Sequence, residues 1–592
     1  MGVHLAGVAL VVGARYGWPA WSAPLVLAAL LAPQAPLLVR RRPVSWTALA
    51  PLLAAYGATL LRLAYRALGI TVVGWQGLTF PNPLLSLFYL DGIVLASVAW
   101  SLLCQLAWTA ASLGRARAVV RWAAAGVLVA TLVWAGTVYL GKRTHGATAS
   151  DPYAYAQMGV DLAENGTFLH RFELFQEVIP LGIAWAPLQP VGYHIPRNDL
   201  GDCPSVWATG ASALLAAGYL LLGEVGLYVT TPLVALLGLA ATWALVQEVL
   251  RGEARGVRYL VGALAVALLA TSPEQVDRLL VPMADAAAML FTVLFLLFLL
   301  RAMRAVEEEP DRGLAGWPSW LLAGVALAWA YWVRHTQLVL ILPVVVWVGV
   351  RAVRGAGNRV SGNPVSGQWG AVIRGVAIFT VAAGVAALPD IVYRWRVFGG
   401  PLATETTELP LMSVQHVGAV AWEMLRAALA AGEWGYLFPL ALYGGYRLLL
   451  APGRDGRRAA LVLGSALAAV LFVHLTYSAL RLRDLISLFP LLNLAIAYGA
   501  VALVRRARTP ATGPREARRL GAALAAVAVV GWVVFSLALA RWAMIDNVWK
   551  RGWASFGYMR AEHRAAFESL EELTPDGAVV GASLNAGAVA LY

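Results

Sequence analysis

Apolar runs of about 17–25 residues recur from one end of the chain to the other, each long enough to cross a hydrocarbon core of about 30 Å. Short polar stretches separate them. This alternation predicts an all-α polytopic membrane protein with about 14 transmembrane helices. The expected spans are 22–39, 46–66, 83–108, 118–140, 226–250, 258–272, 283–304, 317–333, 336–352, 371–393, 433–450, 459–478, 485–504 and 520–542, with a shorter apolar stretch at 3–14. Composition agrees: apolar residues fill 60% of 592 positions and charged residues only 13%, against roughly 25% in soluble domains. The runs are too long and too evenly spaced for a soluble core.

The net charge of +13 raises the question of nucleic acid, and the placement of the charge answers it. Arginines cluster between apolar runs, at Arg40–Arg41–Arg42, Arg115/Arg117/Arg121, Arg251/Arg255/Arg258, Arg301/Arg304, Arg351/Arg354/Arg359, Arg454/Arg457/Arg458 and the Arg505–Arg519 stretch. With these spans every cluster falls on one side, the cytoplasmic one. The basic charge therefore belongs to membrane topology, and no nucleic-acid partner is expected. Cys104 and Cys203 are too few and too far apart for a disulfide frame or a metal site. No cleavable signal peptide is evident, and the excess of arginine over lysine points to a bacterial plasma membrane.

Residues 205–222 are apolar enough to span, yet a span there would place the later arginine clusters outside. They are expected instead as a helix lying in the outer interface. The outer side then carries a long loop at 141–225, a loop at about 394–432 with the Phe398–Gly399–Gly400–Pro401 turn followed by Glu405 and Glu408, and a tail from about 543. The tail reads as a helix over Arg560–Leu573, a Pro575–Asp576–Gly577 turn and a strand over Ala578–Leu584. That αβ unit is unfinished at Tyr592, as the start of a truncated domain would be.

Candidate chemistry gathers at outer ends of spans. Ser150 or Asp151 can cap a helix with Pro152 at its first position and Gly166 at its end. Asp151 is thus either a cap or a carboxylate presented at the membrane surface. Asp161 and Glu164 on the same helix are expected to face water. Asp285 lies at the head of a span, where a charge is costly and faces the protein interior; Arg278 is its nearest expected partner. His194, Asp199 and Asp202 lie in the loop before the interfacial helix.

The order of motifs resembles the glycosyltransferase C superfamily, whose bacterial members include protein O-mannosyltransferases and the lipid A aminoarabinose transferase. The carriers of the resemblance are Asp151–Pro152–Tyr153–Ala154–Tyr155 followed by Leu162–Ala163–Glu164–Asn165–Gly166–Thr167–Phe168, then Pro282–Met283–Ala284–Asp285, then Gly324–Val325–Ala326–Leu327–Ala328 with Arg334–His335, and finally Arg481–Leu482–Arg483–Asp484 through Pro490. It covers about residues 118–545 as a transmembrane core, with 1–117 as additional N-terminal helices and 546–592 as an extracytoplasmic C-terminal segment. The resemblance implies two interfacial helices in the first outer loop, which 151–165 and 205–222 would supply. It implies transfer of a sugar from a polyprenyl-phosphate donor to an extracytoplasmic protein, lipid or glycan acceptor, at a site in contact with membrane lipids.

In that scheme Asp151 is the base or orients the acceptor, and Arg278, Arg334 and Arg483, with Arg481 as a substitute for Arg483, meet the lipid phosphate. Tyr153, Tyr155, His194, Asp285 and His335 complete the expected substrate-binding set. Several family members carry paired acids in this loop, whereas Asp151 stands between Ser150 and Pro152. No metal ligand is therefore assigned, and divalent-metal dependence stays open. Competing readings are a transporter or lipid-linked sugar flippase, a polysaccharide polymerase or ligase, and a silent scaffold. A transporter needs a polar path near the midplane, whereas the charges here collect at outer ends.

Overall fold

The computed structural model describes residues 116–172, 174–182, 192–308, 316–360, 366–401, 403, 409–429, 433–451, 453–508, 541, 556–575, 577–581 and 586–592. The spans expected at 22–39, 46–66, 83–108 and 520–542 (Arg541 apart), and Glu405 and Glu408, lie outside these residues.

The described chain is an all-α polytopic membrane protein. Its first helix, α1 (Ala116–Gly141), leads into a long loop, where α2 (Asp151–Asn165), a short α3 (Leu174–Val178) and α4 (Gly210–Leu222) lie. The bundle continues with α5 (Glu224–Val249), α6 (Arg255–Ala270), α7 (Pro273–Leu279), α8 (Asp285–Glu308), α9 (Trp317–Val333), α10 (Leu342–Val360), α11 (Ser366–Phe398), α12 (Val417–Leu429), α13 (Phe438–Leu449), α14 (Gly453–Leu475) and α15 (Phe489–Arg508). Two 3-10 segments, His335–Ile341 and Leu482–Leu488, begin the spans that α10 and α15 complete.

Among the described residues seven helices are long and apolar enough to cross a membrane, and eight if α6 and α7 form one span broken by a 60° bend. The break follows from Ser272–Pro273: Ser272 Oγ caps α7 by accepting from Gln275 N, and proline lacks the donor that would continue α6. The expected span 317–333 appears as a 17-residue helix with those bounds, and 433–450 as a shorter helix of 12 residues. The total of 14 is not established by these elements.

Two stretches form the middle of the bundle. The apolar window of α8 is 78% buried and that of 482–503 is 83% buried, against 22% for the window in α1. Helices apolar all round belong in such positions, while a helix with an exposed apolar face meets lipid. Close backbone approach sets the crossing of α13 and α15 from both sides: a Cβ on Gly444 of α13 would fall 1.8 Å from Ala495 O of α15, and one on Gly499 of α15 would fall 2.2 Å from Leu440 O of α13. Small residues at membrane crossings permit this approach.

The loop helix α4 has 13 residues, a length of about 20 Å and too short for a bilayer core. Its Gly218 meets Gly226 of α5, so that α4 and α5 form a tight corner at Gly223. Leu220, Leu221 and Leu222 are exposed at that corner, as befits an interfacial helix. A two-stranded antiparallel ribbon, β1 (His170–Arg171) with β2 (Asp202–Cys203), ties the loop together.

The tail holds α16 (Ala561–Leu573) and α17 (Ala586–Leu591). The Pro575 turn forms, with Ala578 N donating to Pro575 O at 3.0 Å. The strand expected at Ala578–Leu584 does not form over 578–581, and 582–585 lie outside the described residues. Among the described residues no strand faces it, and a lone strand leaves its backbone groups unpaired.

Candidate active site

Four segments converge at the N-terminal end of the buried pair α8 and α15. The first is the start of α2. Its C-terminus is set by Gly166 at φ 68°, as the sequence predicts. Ser150 occupies the cap position without capping: its hydroxyl donates instead to Asp151 Oδ1 at 2.7 Å. Asp151 is no cap either. Its other oxygen meets Arg483 Nη2 at 2.9 Å, with the Asp151 side chain 15% exposed and that of Arg483 7%.

The second segment is the head of α8, where Asp285 is 2% exposed. Its partner is Arg334 rather than the expected Arg278: Arg334 Nη2 lies 2.6 Å from Asp285 Oδ1. Arg278 is held by its own short helix, by Asp277 at 3.1 Å and Glu274 at 3.4 Å. The third segment is Arg334 itself, which ends α9 in an extended conformation (φ −151°, ψ 107°).

The fourth is the 3-10 segment Leu482–Leu488. Asp484 accepts from Arg481 N at 3.0 Å, closing its first turn. Its carbonyl accepts from Arg334 Nη1 at 2.8 Å, and its carboxylate lies 3.7 Å from Arg334 and 4.0 Å from Arg483. Arg481 points away and its side chain is 55% exposed. The result is two arginines, the half-buried Arg334 and the buried Arg483, interleaved with three carboxylates, Asp151, Asp285 and Asp484. Among the described residues, Arg483 Nε has no hydrogen-bond acceptor. Tyr155 packs among them; burial first, then the charge of Asp151, pushes its phenol well above the ordinary range.

Adjacent to Arg334, His335 enters a second polar group. Its Nε2 lies 3.5 Å from Asp390 Oδ2 of α11, and Arg394 Nη2 lies 2.8 Å from both of its ring nitrogens. Arg394 Nε also bonds Asp390 at 3.1 Å, and Trp332 Nε1 donates to Thr209 Oγ1, which reaches toward Asp390 at 3.4 Å. The extended backbone at Arg334 sends successive side chains to these two groups. Sequence reading singled out neither Asp390 nor Arg394, although an acid at Pro389–Asp390 inside an apolar run is the signal that would have found them.

The remaining expected residues sit apart. Tyr153 is fully buried in an interior cluster with Ala154, Tyr193 and Cys203, and burial raises its phenol pKa strongly. His194 packs edge-on against Phe398, with ring centroids 6.0 Å apart. Asp202 pairs with Arg171 at 2.8 Å and accepts from Asn198. Asp161, expected in water, is 5% exposed; the loop folds back so that His170 Nδ1 lies 3.1 Å from it and Gln157 donates to it at 3.2 Å. Glu164 does accept at the surface, from Tyr219. Among the described residues no three His, Cys, Asp or Glu side chains are grouped to hold a metal ion.

No family model matches the chain, and no curated protein matches it. Among solved structures it is similar to the Archaeoglobus fulgidus oligosaccharyltransferase in its apo form, at 14% identity and a TM-score of 0.44, covering 77% of this chain and 58% of that one. It is similar to ArnT from Cupriavidus metallidurans bound to undecaprenyl phosphate, at 13% identity and a TM-score of 0.46, covering 78% of this chain and 84% of that one. A third similarity is to AglB of Archaeoglobus fulgidus in complex with an inhibitory peptide and a dolichol-phosphate, at 12% identity and a TM-score of 0.46. The chain spans 58% of the length of the oligosaccharyltransferase it matches.

Proposed function

We propose that the chain is a membrane glycosyltransferase that moves a sugar from a polyprenyl-phosphate donor to an acceptor hydroxyl outside the cytoplasm. The observation that carries this reading is the Asp151–Arg483 pair, a carboxylate and a buried guanidinium joined at 2.9 Å beside a second, half-buried arginine, Arg334. The phosphate meets Arg483 and Arg334, whose forked donors suit its oxygens. Arg483 Nε has a donor to spare. The same guanidinium restrains Asp151 in the unliganded site; a phosphate drawing on Arg483 loosens that hold and leaves the carboxylate able to accept a proton.

The step is a single displacement at the anomeric carbon. The acceptor oxygen forms the new bond while its proton passes to Asp151, and the bond to the phosphate oxygen breaks with its electron pair leaving on the phosphate. Inversion follows. Positive charge from Arg334 and Arg483 stabilises the departing phosphate, which is the larger electrostatic demand. The membrane-facing apolar surface of the bundle suits a polyprenyl tail.

The test compares wild type with Asp151→Asn in membranes carrying a radiolabelled polyprenyl-phosphate-sugar pool. Loss of transfer by about 100-fold or more, the usual worth of a positioned base, in a mutant that inserts normally supports the reading. Transfer at the wild-type rate removes Asp151 from the chemistry. No transfer by wild type itself, with movement of the labelled carrier across the membrane, gives the place to a transporter.

A further inference from the structure

The segment joining α1 to the helix of Asp151 is clasped by the tail. His145 N donates to Met559 O at 2.9 Å, Met559 N donates to Thr144 Oγ1 at 2.9 Å, and Thr148 N donates to Gly557 O at 3.3 Å. Ala147 bridges Tyr558 in antiparallel fashion. On the other side Ala147 N donates to the Tyr592 hydroxyl at 2.6 Å, and that hydroxyl also meets Tyr228 of α5. Arg564 of α16 stacks over the Tyr592 ring at 4.7 Å and forms a two-point pair with Glu224, one bond at 2.8 Å.

Two close approaches leave the clasped segment no slack. Gly557 lies at φ +82°, and a Cβ there would fall 2.3 Å from Pro152 Cγ, next to Asp151. A Cβ on Gly587 of α17 would fall 2.3 Å from the Tyr153 ring, which is fully buried and cannot swing away. A further, independent sign of constraint is Ala149. It is the one non-glycine residue at positive φ among the described residues, at +61°, a conformation that crowds the Cβ against its own backbone and persists only when its surroundings impose it. Ala149 stands two residues before Asp151.

We infer that the tail, through Tyr592, Gly587 and Gly557, is a positioning element for Asp151: it forces the turn at Ala149 that aims the carboxylate at Arg483. The inference rests on the reading of Asp151 as the reacting carboxylate. Tyr592, Gly587 and Gly557 are positioning residues, since none touches the site itself.

The experiment uses the full-length protein, with Tyr592→Phe and Gly587→Ala made in a Cys104→Ser background. Transfer is measured with the radiolabelled polyprenyl-phosphate-sugar pool. Maleimide labelling of Cys203, which is buried in the cluster that Tyr153 and Leu591 share, reports release of the tail independently of activity. A displacement of the reacting group by about 1 Å costs up to about 100-fold in rate. The expected result is a 10- to 100-fold lower maximal rate with half-saturation by the donor unchanged, and faster Cys203 labelling. In Gly587→Ala, Tyr153→Leu makes room for the new methyl and recovers at least part of the lost rate. Faster labelling with wild-type transfer overturns the inference, as does unchanged labelling with unchanged transfer, or a double variant worse than Gly587→Ala. Asp151→Asn runs in parallel: if it transfers like wild type, the reading of Asp151 fails whatever the tail variants do. If it is inactive and the tail variants are not, only the clasp fails.

Discussion

Removing the carboxylate of Asp285 tests whether the carboxylate–arginine cluster is built as the distances imply. In Asp285→Asn, Arg334 keeps its charge but the group 2.6 Å away loses its own, a neutral amide standing in for the carboxylate. Truncating one member of a buried ion pair costs about 3–5 kcal/mol, because the surviving charge is left uncompensated. Two features reduce that here: the Arg334 side chain is 20% exposed, and Asp484 Oδ1 remains 3.7 Å away. A cost of about 2–3 kcal/mol follows. The assay is reversible unfolding of the purified protein in mixed micelles by titrated denaturing detergent, read by tryptophan fluorescence, for Asp285→Asn, Arg334→Gln and the double variant. Groups in direct contact couple by about 0.5–3 kcal/mol, so the double variant should recover a good part of the sum of the single losses. It should not recover sugar transfer, because Arg334 is also needed for the phosphate. The reasoning is refuted if Asp285→Asn unfolds within about 0.5 kcal/mol of wild type and the two changes simply add.

Other consequences are measurable in the same protein. Gly499→Ala places a methyl 2.2 Å from Leu440 O, and should destabilise the bundle by about 1–3 kcal/mol through forced separation of α13 and α15; equal unfolding midpoints would count against that crossing. Burial pushes the Cys203 thiol up to about 12. In Cys104→Ser its iodoacetamide labelling should therefore keep rising tenfold per pH unit through pH 10, where an ordinary thiol of pKa about 8.5 levels off; a plateau near pH 9 refutes the burial. The Arg171 side chain holds the Asp202 carboxyl below its usual range. Since the folded value is depressed, the stability it contributes is present above the unfolded value near pH 4 and is lost as pH falls through the folded value. Hydrogen exchange at Arg197 N, which bonds Asp202 O, should show the ribbon opening at a higher pH in Arg171→Ala than in wild type; identical profiles would refute the link.

The bundle was legible because its determinants are local. Apolar runs and arginine clusters located most spans in the described region, and the α2 boundaries follow from Pro152 and Gly166, whose backbone preferences act within one turn. The 12-residue α13 was not legible. Its apolar stretch begins at Gly435, yet Glu433 at its head is drawn under α7 by Ser272 Oγ at 2.8 Å, Glu274 N at 2.7 Å and Arg541 at 3.1 Å. That polar anchor takes the first turn out of the span, and it depends on residues far away in sequence. Asp161 misled for the same reason: its partner His170 lies beyond the turn at Gly166 that brings the chain back.

Sequence placed four arginines at outer ends of spans and had no means of ranking them, because depth and side chain were the same for all. Tertiary partners rank them. Arg278 sits on a helix with two acids of its own and is neutralised at home. Arg481 and Arg483 are separated by the geometry of the segment that carries them. In a 3-10 turn successive residues advance by about 120°, so positions two apart face different directions. Asp484 binds the backbone N–H of Arg481 and fixes that turn with Arg481 outward, which sends Arg483 inward to Asp151. The residue that chooses between the two arginines is therefore Asp484, an acid whose adjacency to Arg483 in the chain gave no hint that it orders the site.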